Sequence, residues 1–294
     1  MKICFFKQAE IDKKSYDQCI SSAPNSLIYA LSWYLDIAAP GWSLLATPDY
    51  SFVMPIPQKH KFGIPYILQP LMCQQLGIFS PEGIIEETYR KFIKKIPAIY
   101  CILQFNCGNL FGQKELRENY VLDIRPDYET IQSGYHANTQ TDLKKTAKAG
   151  LIIDTQTDYA AIIELTKQQS PYYTGKLLDI ATRLAEKARE NDSLFVRCVR
   201  DKTTSELLAG ALFFRWKNRL YYLLPVSTPK GKKTSAMRFL IDRLIAEFAG
   251  QNYWIDFEGS TVASVAQFYQ NFGAVPEWYP VFRKGFSTFF CTLK

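Results

Sequence analysis

Two periods organise the apolar positions of this chain. Short unbroken or alternating apolar runs predict strands over residues 2–6, 42–46, 50–56, 64–69, 100–105 and 120–124. Between them, apolar residues at helical spacing predict helices over 13–21, 27–38 and 83–96. Pro40-Gly41 stops the second helix, and Ile84, Ile85, Tyr89 and Phe92 line one side of the third. The polar run Gln58-Lys59-His60-Lys61 reads as an exposed hairpin turn.

Beyond Arg125-Pro126 the pattern changes. Residues 128–149 form a long amphipathic segment with Tyr128, Ile131 and Tyr135 in helical register, a basic latter part and a stop at Gly150. A strand over 151–155 and helices over 159–169 and 176–190 come next. Strands over 194–200, 209–216 and 219–226 then lead into a helix over 235–249. The last stretch begins with a strand over 253–257 that only Asp256 interrupts, and Glu258-Gly259-Ser260 turns the chain. Ser260 or Thr261 can cap a helix carrying Val262, Val265, Ala266 and Tyr269 on one side, and Gly273 ends it before a final strand. The fold class is therefore mixed α/β (α+β), with too many adjacent strands for a simple Rossmann unit. The expected division is residues 1–125 and 126–294.

Composition narrows the picture. With 47% hydrophobic and 21% charged residues, the 294-residue chain is of the packed globular kind. Aromatic residues make up 15%, which suits extended sheet surfaces or an aromatic-lined cleft. The formal charge of +7 favours an anionic partner such as a nucleotide cofactor, a phosphorylated substrate or RNA. No Lys/Arg block has the length of a nucleic-acid arm, and DNA is not expected as a partner. Seven Cys form no CxxC pair and the two His have no ligand spacing to a Cys, so no metal is expected and the thiols read as reduced, in the cytoplasm. Lys7, Glu10 and Asp12 follow the opening apolar run at once, which argues against a signal peptide; no window is long enough for a membrane span.

Two clusters carry candidate chemistry. Ser227-Thr228-Pro229-Lys230-Gly231-Lys232-Lys233-Thr234 joins a strand to a helix expected to start at Thr234 or Ser235. Unpaired amides at a helix start, the helix dipole and three lysines suit a phosphate. A solvated turn with lysines for solubility is the plainer alternative. Asp256 and Glu258 share a strand face, and either could take a proton from an incoming amine, with Glu258 better placed at the open end. Alternatively, Asp256 is tied to backbone amides and Glu258 is a surface turn residue. No Ser or Cys has a triad-like setting, which leaves hydrolase chemistry without support.

Phe268-Tyr269-Gln270-Asn271-Phe272-Gly273-Ala274 resembles the last helix of GNAT-fold N-acyltransferases. Asp256-Phe257-Glu258-Gly259, followed further on by Phe282-Arg283-Lys284-Gly285-Phe286, looks like the Fem-type aminoacyltransferases, which carry two tandem GNAT-like domains and attach amino acids to peptidoglycan precursors. The resemblance implies a degenerate N-terminal GNAT-like domain over 1–125 and a second over 126–294 with the donor site. It implies an acyl-CoA thioester as donor and an amine as acceptor, with the coenzyme A pyrophosphate held by Thr228, Lys230, Gly231, Lys232, Lys233 and Thr234. Glu258 would act on the amine. Tyr269 would protonate the departing thiolate, as a neutral phenol can. Arg283 stands where Fem-type proteins have a lysine that steadies the carbonyl oxygen, and Thr139-Gln140-Thr141 stands where they have an arginine. Two rival functions remain. One is transfer from charged transfer RNA to a peptidoglycan precursor; the other is a non-catalytic binding protein on a degenerate GNAT scaffold.

Overall fold

A computed structural model of the protein describes residues 1–259 and 262–285. Its contacts gather into two compact units, Met1–Arg117 with the chain from Trp278 onward, and Glu118–Glu277. The expected boundary at Arg125-Pro126 falls just inside the second unit, and the last described strand returns to the first.

In the first unit, β1 (Cys4–Lys7), α1 (Lys13–Ser22) and α2 (Ser32–Ala38) precede β2 (Ser43–Ala46) and β3 (Val53–Ile56). These three strands form an antiparallel sheet in the order β1-β2-β3. The helix expected over 27–38 is broken, because Leu31 is extended and only a short 3-10 turn, Ile28–Ala30, precedes α2. A second group of strands is made by β4 (Gln58–Lys61), β5 (Ile64–Leu68), β6 (Tyr100–Gln104) and, after the second unit, β13 (Val275–Lys284). The polar run 58–61 is thus a strand, with its turn displaced to Phe62-Gly63. Between β5 and β6, α3 (Glu86–Lys94) buries Tyr89 and Phe92 in a core with Met54, Ile67, Leu103 and Phe105.

The second unit opens with β7 (Leu116–Asp123), α4 (Tyr128–Ser133), α5 (Ala137–Thr146), β8 (Leu151–Asp154), α6 (Tyr159–Gln169) and α7 (Gly175–Glu190). The amphipathic segment 128–149 is two helices, not one. Gly134 closes α4, Tyr135 turns into the core, and the His136 ring nitrogen accepts from the Asn138 amide to cap α5. Then come β9 (Leu194–Asp201), β10 (Leu207–Trp216), β11 (Arg219–Ser227), α8 (Pro229–Lys233), α9 (Ala236–Phe248), β12 (Trp254–Asp256) and α10 (Ala263–Gln270). Within this unit the strands run β7-β12-β11-β10-β9-β8. All neighbours are antiparallel except β11 and β12.

Alternation along β10 puts helices on both faces. Ala209, Ala211 and Phe213 share the core with Leu240, Ile241 and Leu244 of α9. On the other face, a Cβ at Gly210 would stand 2.4 Å from Ile162 Cδ1 of α6 and 3.0 Å from Cys198 Sγ, so α6 packs closely over this glycine. Gly231 of α8 is similarly constrained, since an added Cβ would lie 2.0 Å from the Leu208 carbonyl oxygen. That carbonyl accepts from the Thr228 amide at 2.9 Å, which fixes the start of α8 against β10. Gly231→Ala should therefore lower stability by about 2 kcal/mol, because backbone, not a flexible side chain, must move. Thermal unfolding of the variant against the wild type measures it.

Candidate functional site

The site begins where β11 and β12 part. Their parallel pairing covers only Arg219–Tyr221 against Trp254–Asp256, after which β12 ends and β11 continues to Ser227. A bulge helps to bend β11 there. Gly210 of β10 faces Val226 and Leu212 faces Leu223, so Ala211 opposes both Leu224 and Pro225, and Leu224 takes φ +49°. The divergence leaves a cleft of about 370 Å³ lined by Tyr222, Val226, Ser227, Lys232, Phe268 and Tyr269, among others.

Tyr269 forms part of the wall. α10 presents it to a buried aromatic group, stacked on Phe257 at 4.7 Å between ring centroids and edge-on to Tyr222 at 6.2 Å. Burial pushes its phenol well above the ordinary tyrosine value, and the neighbouring Glu258 carboxylate and Tyr173 push it further. Tyr173, in the segment between α6 and α7, is pushed up to about 12 by burial and by the same Glu258 charge. Glu258 thus sits electrostatically beside two protonated phenols.

The backbone of Glu258 is left-handed, with φ +58°, a conformation that disfavours a side chain. Three bonds hold it. Its amide donates to Asp256 Oδ1 at 3.0 Å, its carbonyl accepts from the Tyr120 amide at 3.2 Å, and the Phe257 amide donates to the Tyr120 carbonyl at 2.9 Å. Asp256 is itself 1% exposed and is anchored by Arg219, whose Nη1 lies 2.7 Å from Asp256 Oδ2. The same guanidinium donates to both oxygens of Glu277, at 3.0 and 2.5 Å. Burial raises the Asp256 carboxyl above the ordinary aspartate value against the opposing pull of Arg219. Asp256 is therefore a structural anchor, bound to backbone and guanidinium, whereas Glu258 is only partly buried.

The lysine-rich loop is a helix. Thr228 Oγ1 accepts from the Gly231 amide at 3.0 Å, capping α8, and Thr234 Oγ1 donates back to the Lys230 carbonyl at 3.0 Å. Lys230 lies between Asp201 (2.9 Å) and Glu206 (2.8 Å), holding Asp201 down to about 2. Of the three lysines only Lys232 lines the cleft, and Lys233 is exposed. Ser235 then takes φ +56°, and α9 starts beside the cleft at Ala236 with Met237 in its wall. A larger cavity, about 580 Å³, lies between α4, α5 and α9 over Tyr135, Lys144, Asp242 and Arg243, and none of the expected site residues lines it.

A family model for a GNAT acetyltransferase domain matches residues 144–262, which includes β8 to β12. FemX superposes with a TM-score of 0.66 at 12% identity, covering 100% of this chain and 99% of that one. A tandem GNAT protein from the clavulanic acid biosynthesis pathway gives 0.54 at 9% identity, over 96% and 98% of the two chains. L-PGS from Bacillus licheniformis gives 0.52 at 9% identity, over 94% and 93%. The chain has a Fem-like GNAT fold. No curated protein matches it in sequence.

In GNAT terms, Tyr269, Glu258 and the Thr228–Thr234 segment all fall in the second unit, with Tyr269 and Lys232 on one cleft. Arg283 lies on β13 in the first unit, where its guanidinium is engaged by both oxygens of Glu115 at 2.5 and 2.9 Å. The expected helix caps Ser260 and Thr261 fall outside the described residues, as does Phe286 of the resemblance motif. Sequence reading missed Arg219, Glu277 and Tyr173. The first two are far apart along the chain and neither lies in a motif; the doubled Tyr172-Tyr173 before Gly175 was a signal that could have been weighed.

Two outcomes follow from this geometry. Arg219→Met should destabilise the protein by about 3–5 kcal/mol, because it leaves the buried Asp256 charge without its partner; denaturant unfolding checks it. Glu258→Gly should unfold at or above the wild-type temperature, by up to about 1 kcal/mol, since glycine suits φ +58°. Glu258→Ala, with the same lost carboxylate but a Cβ, should not gain that increment.

Proposed function

We propose that the protein is an N-acyltransferase that moves an acyl group from a thioester of coenzyme A to an amine, using the cleft between β11 and β12. One observation carries this reading. A buried, protonated phenol, Tyr269, and a cation, Lys232, line one cleft opened by the splayed strands of a GNAT fold. The unpaired edge of β11 beyond Tyr221 can hydrogen-bond an extended amide-containing arm as a neighbouring strand would, which fits a pantetheine. The start of α9 and Lys232 would meet the phosphates, with Lys233 adding charge from outside. Thr228, Gly231 and Thr234 shape α8, and Lys230 anchors it to Asp201 and Glu206.

The chemistry needs two proton positions. The amine nitrogen attacks the thioester carbonyl carbon, forming a C–N bond as the C–S bond breaks. Glu258 receives the proton released by the amine, and the Tyr269 phenol gives its proton to the departing thiolate. Placement and desolvation supply the rest, because amine attack on a thioester requires no further activation of the carbonyl. Arg283, already paired with Glu115, is assigned no step.

Thermal unfolding with acetyl-CoA tests the donor. Saturation at one hundred times the dissociation constant should add about 2.7 kcal/mol of stability, and Lys232→Ala should weaken the apparent affinity about tenfold. Tyr269→Phe should lower kcat about a hundredfold with the donor KM unchanged. Because the Tyr269 phenol is raised above its ordinary value, the wild-type rate should stay level through about pH 10, with no loss from tyrosine ionisation. Absence of any shift with acetyl-CoA or desulfo-CoA would remove the thioester. Activity abolished by ribonuclease would then favour a charged transfer RNA as donor, and activity with neither would leave a binding role.

A further inference from the structure

The β4–β5 hairpin of the first unit presents a feature that acyl transfer does not use. Its strands pair antiparallel from Gln58↔Ile67 to Lys61↔Ile64, and the turn consists of Phe62 and Gly63, both with positive φ, at +51° and +77°. Such a two-residue turn matches the twist of a hairpin and favours Asn-Gly or Asp-Gly. Phenylalanine is among the poorer choices there, since a bulky side chain is strained in the left-handed region. It is also 93% exposed, the most exposed of the large apolar side chains among the described residues. Neither the backbone nor the core explains it.

Its surroundings are cationic. Lys59 and Lys61 share one face of β4, with the Lys61 ammonium 5.7 Å from the Phe62 ring centroid. His60 projects from the other face beside Gln58, and Ile64 is exposed opposite Lys61. No Asp or Glu occurs between Asp49 and Glu82 in the sequence. Among the described residues β4 has a single strand neighbour, β5, so the hairpin is an edge.

We infer that this hairpin tip docks the protein peripherally on an anionic phospholipid surface. Phe62 enters the interfacial layer, while Lys59 and Lys61 meet lipid phosphates. Exposed aromatic and basic side chains on one projecting element are the pairing that such an interface rewards, through apolar burial and the negative surface potential. A single-stranded nucleic acid offers the same charge, but it is held in basic grooves with stacking platforms; a convex two-residue tip provides neither. No helix among the described residues is long and apolar enough to cross a membrane, so the contact proposed is a surface one.

Vesicle co-sedimentation of the full chain tests this. Binding is expected to phosphatidylcholine vesicles containing phosphatidylglycerol, to fall with added salt, and to be lost on phosphatidylcholine alone. Phe62→Asn should weaken it about tenfold, and Lys59→Ala or Lys61→Ala about fivefold each. Phe62→Asn also suits the turn, so its unfolding temperature should not drop, which separates lost docking from lost folding. Phe62→Trp should show a blue-shifted emission on the anionic vesicles only. Wild-type protein that ignores anionic vesicles, or binding unchanged in Phe62→Asn, would overturn the inference. Phe62-dependent binding to single-stranded RNA with no vesicle binding would replace it with a nucleic-acid surface.

Discussion

The geometry of the second unit depends on one half-buried guanidinium. Arg219 stands at the start of β11, where it pairs with β12, and reaches Asp256 at the end of β12 and Glu277 on β13. Two carboxylates in a low-dielectric position would repel each other, and one cation between them removes that conflict. The consequence is positional. With Asp256 fixed, its second oxygen is free to take the Glu258 amide, and that bond sets the left-handed turn at which β12 stops. The cleft exists because β12 stops there while β11 goes on.

A second constraint decides what the cleft can hold. The wall around Tyr269 is aromatic, with Phe257, Tyr222 and Phe268 packed against it. Cationic character enters mostly from one side, through Lys232 and the start of α9. Lys230 contributes indirectly. Held by Asp201 and Glu206 at the β9–β10 turn, it fixes α8 and so the place of Lys232. An apolar, hydrogen-bond-offering groove with charge at one end suits a donor whose arm is long and whose phosphates are remote from the reacting carbon.

Much of this order was legible in the sequence, and the reason is local. Apart from α8, strand and helix positions from β8 to α10 follow apolar periodicity, and Gly273 takes φ +89° just beyond α10, as its place in the pattern required. Tyr269 on the buried side of its helix also follows from spacing alone. What periodicity does not carry is pairing. Nothing near Lys230 in the sequence indicates that Asp201 and Glu206 will surround it, and Arg219 meets Glu277 only after the sheet has formed. The loop-to-helix change at Pro229–Lys233 has a similar origin: Thr228 and Pro229 are helix-start residues, but the three lysines and one glycine hid them. Pattern gave 128–149 as one long amphipathic segment because Tyr135 keeps the register, whereas Gly134 closes α4 and the Tyr135 ring packs on Phe272 at 5.2 Å.

Backbone strain in this chain is held by local bonds and packing. Among the described residues, nine that are not glycine take positive φ. Leu224 is explained by its bulge and burial, and Tyr50 by its hydroxyl, which accepts from the Asp12 amide at 3.1 Å. At Glu258 the amide bond to Asp256 Oδ1 and the carbonyl bond from the Tyr120 amide hold the left-handed backbone, and glycine would make those two equally well. The Cβ adds strain of about 1 kcal/mol, which those bonds offset. The Glu258 carboxylate acts on the Tyr269 and Tyr173 phenols, which it helps to keep protonated, so the strained turn at the end of β12 and the wall of the cleft are electrostatically linked.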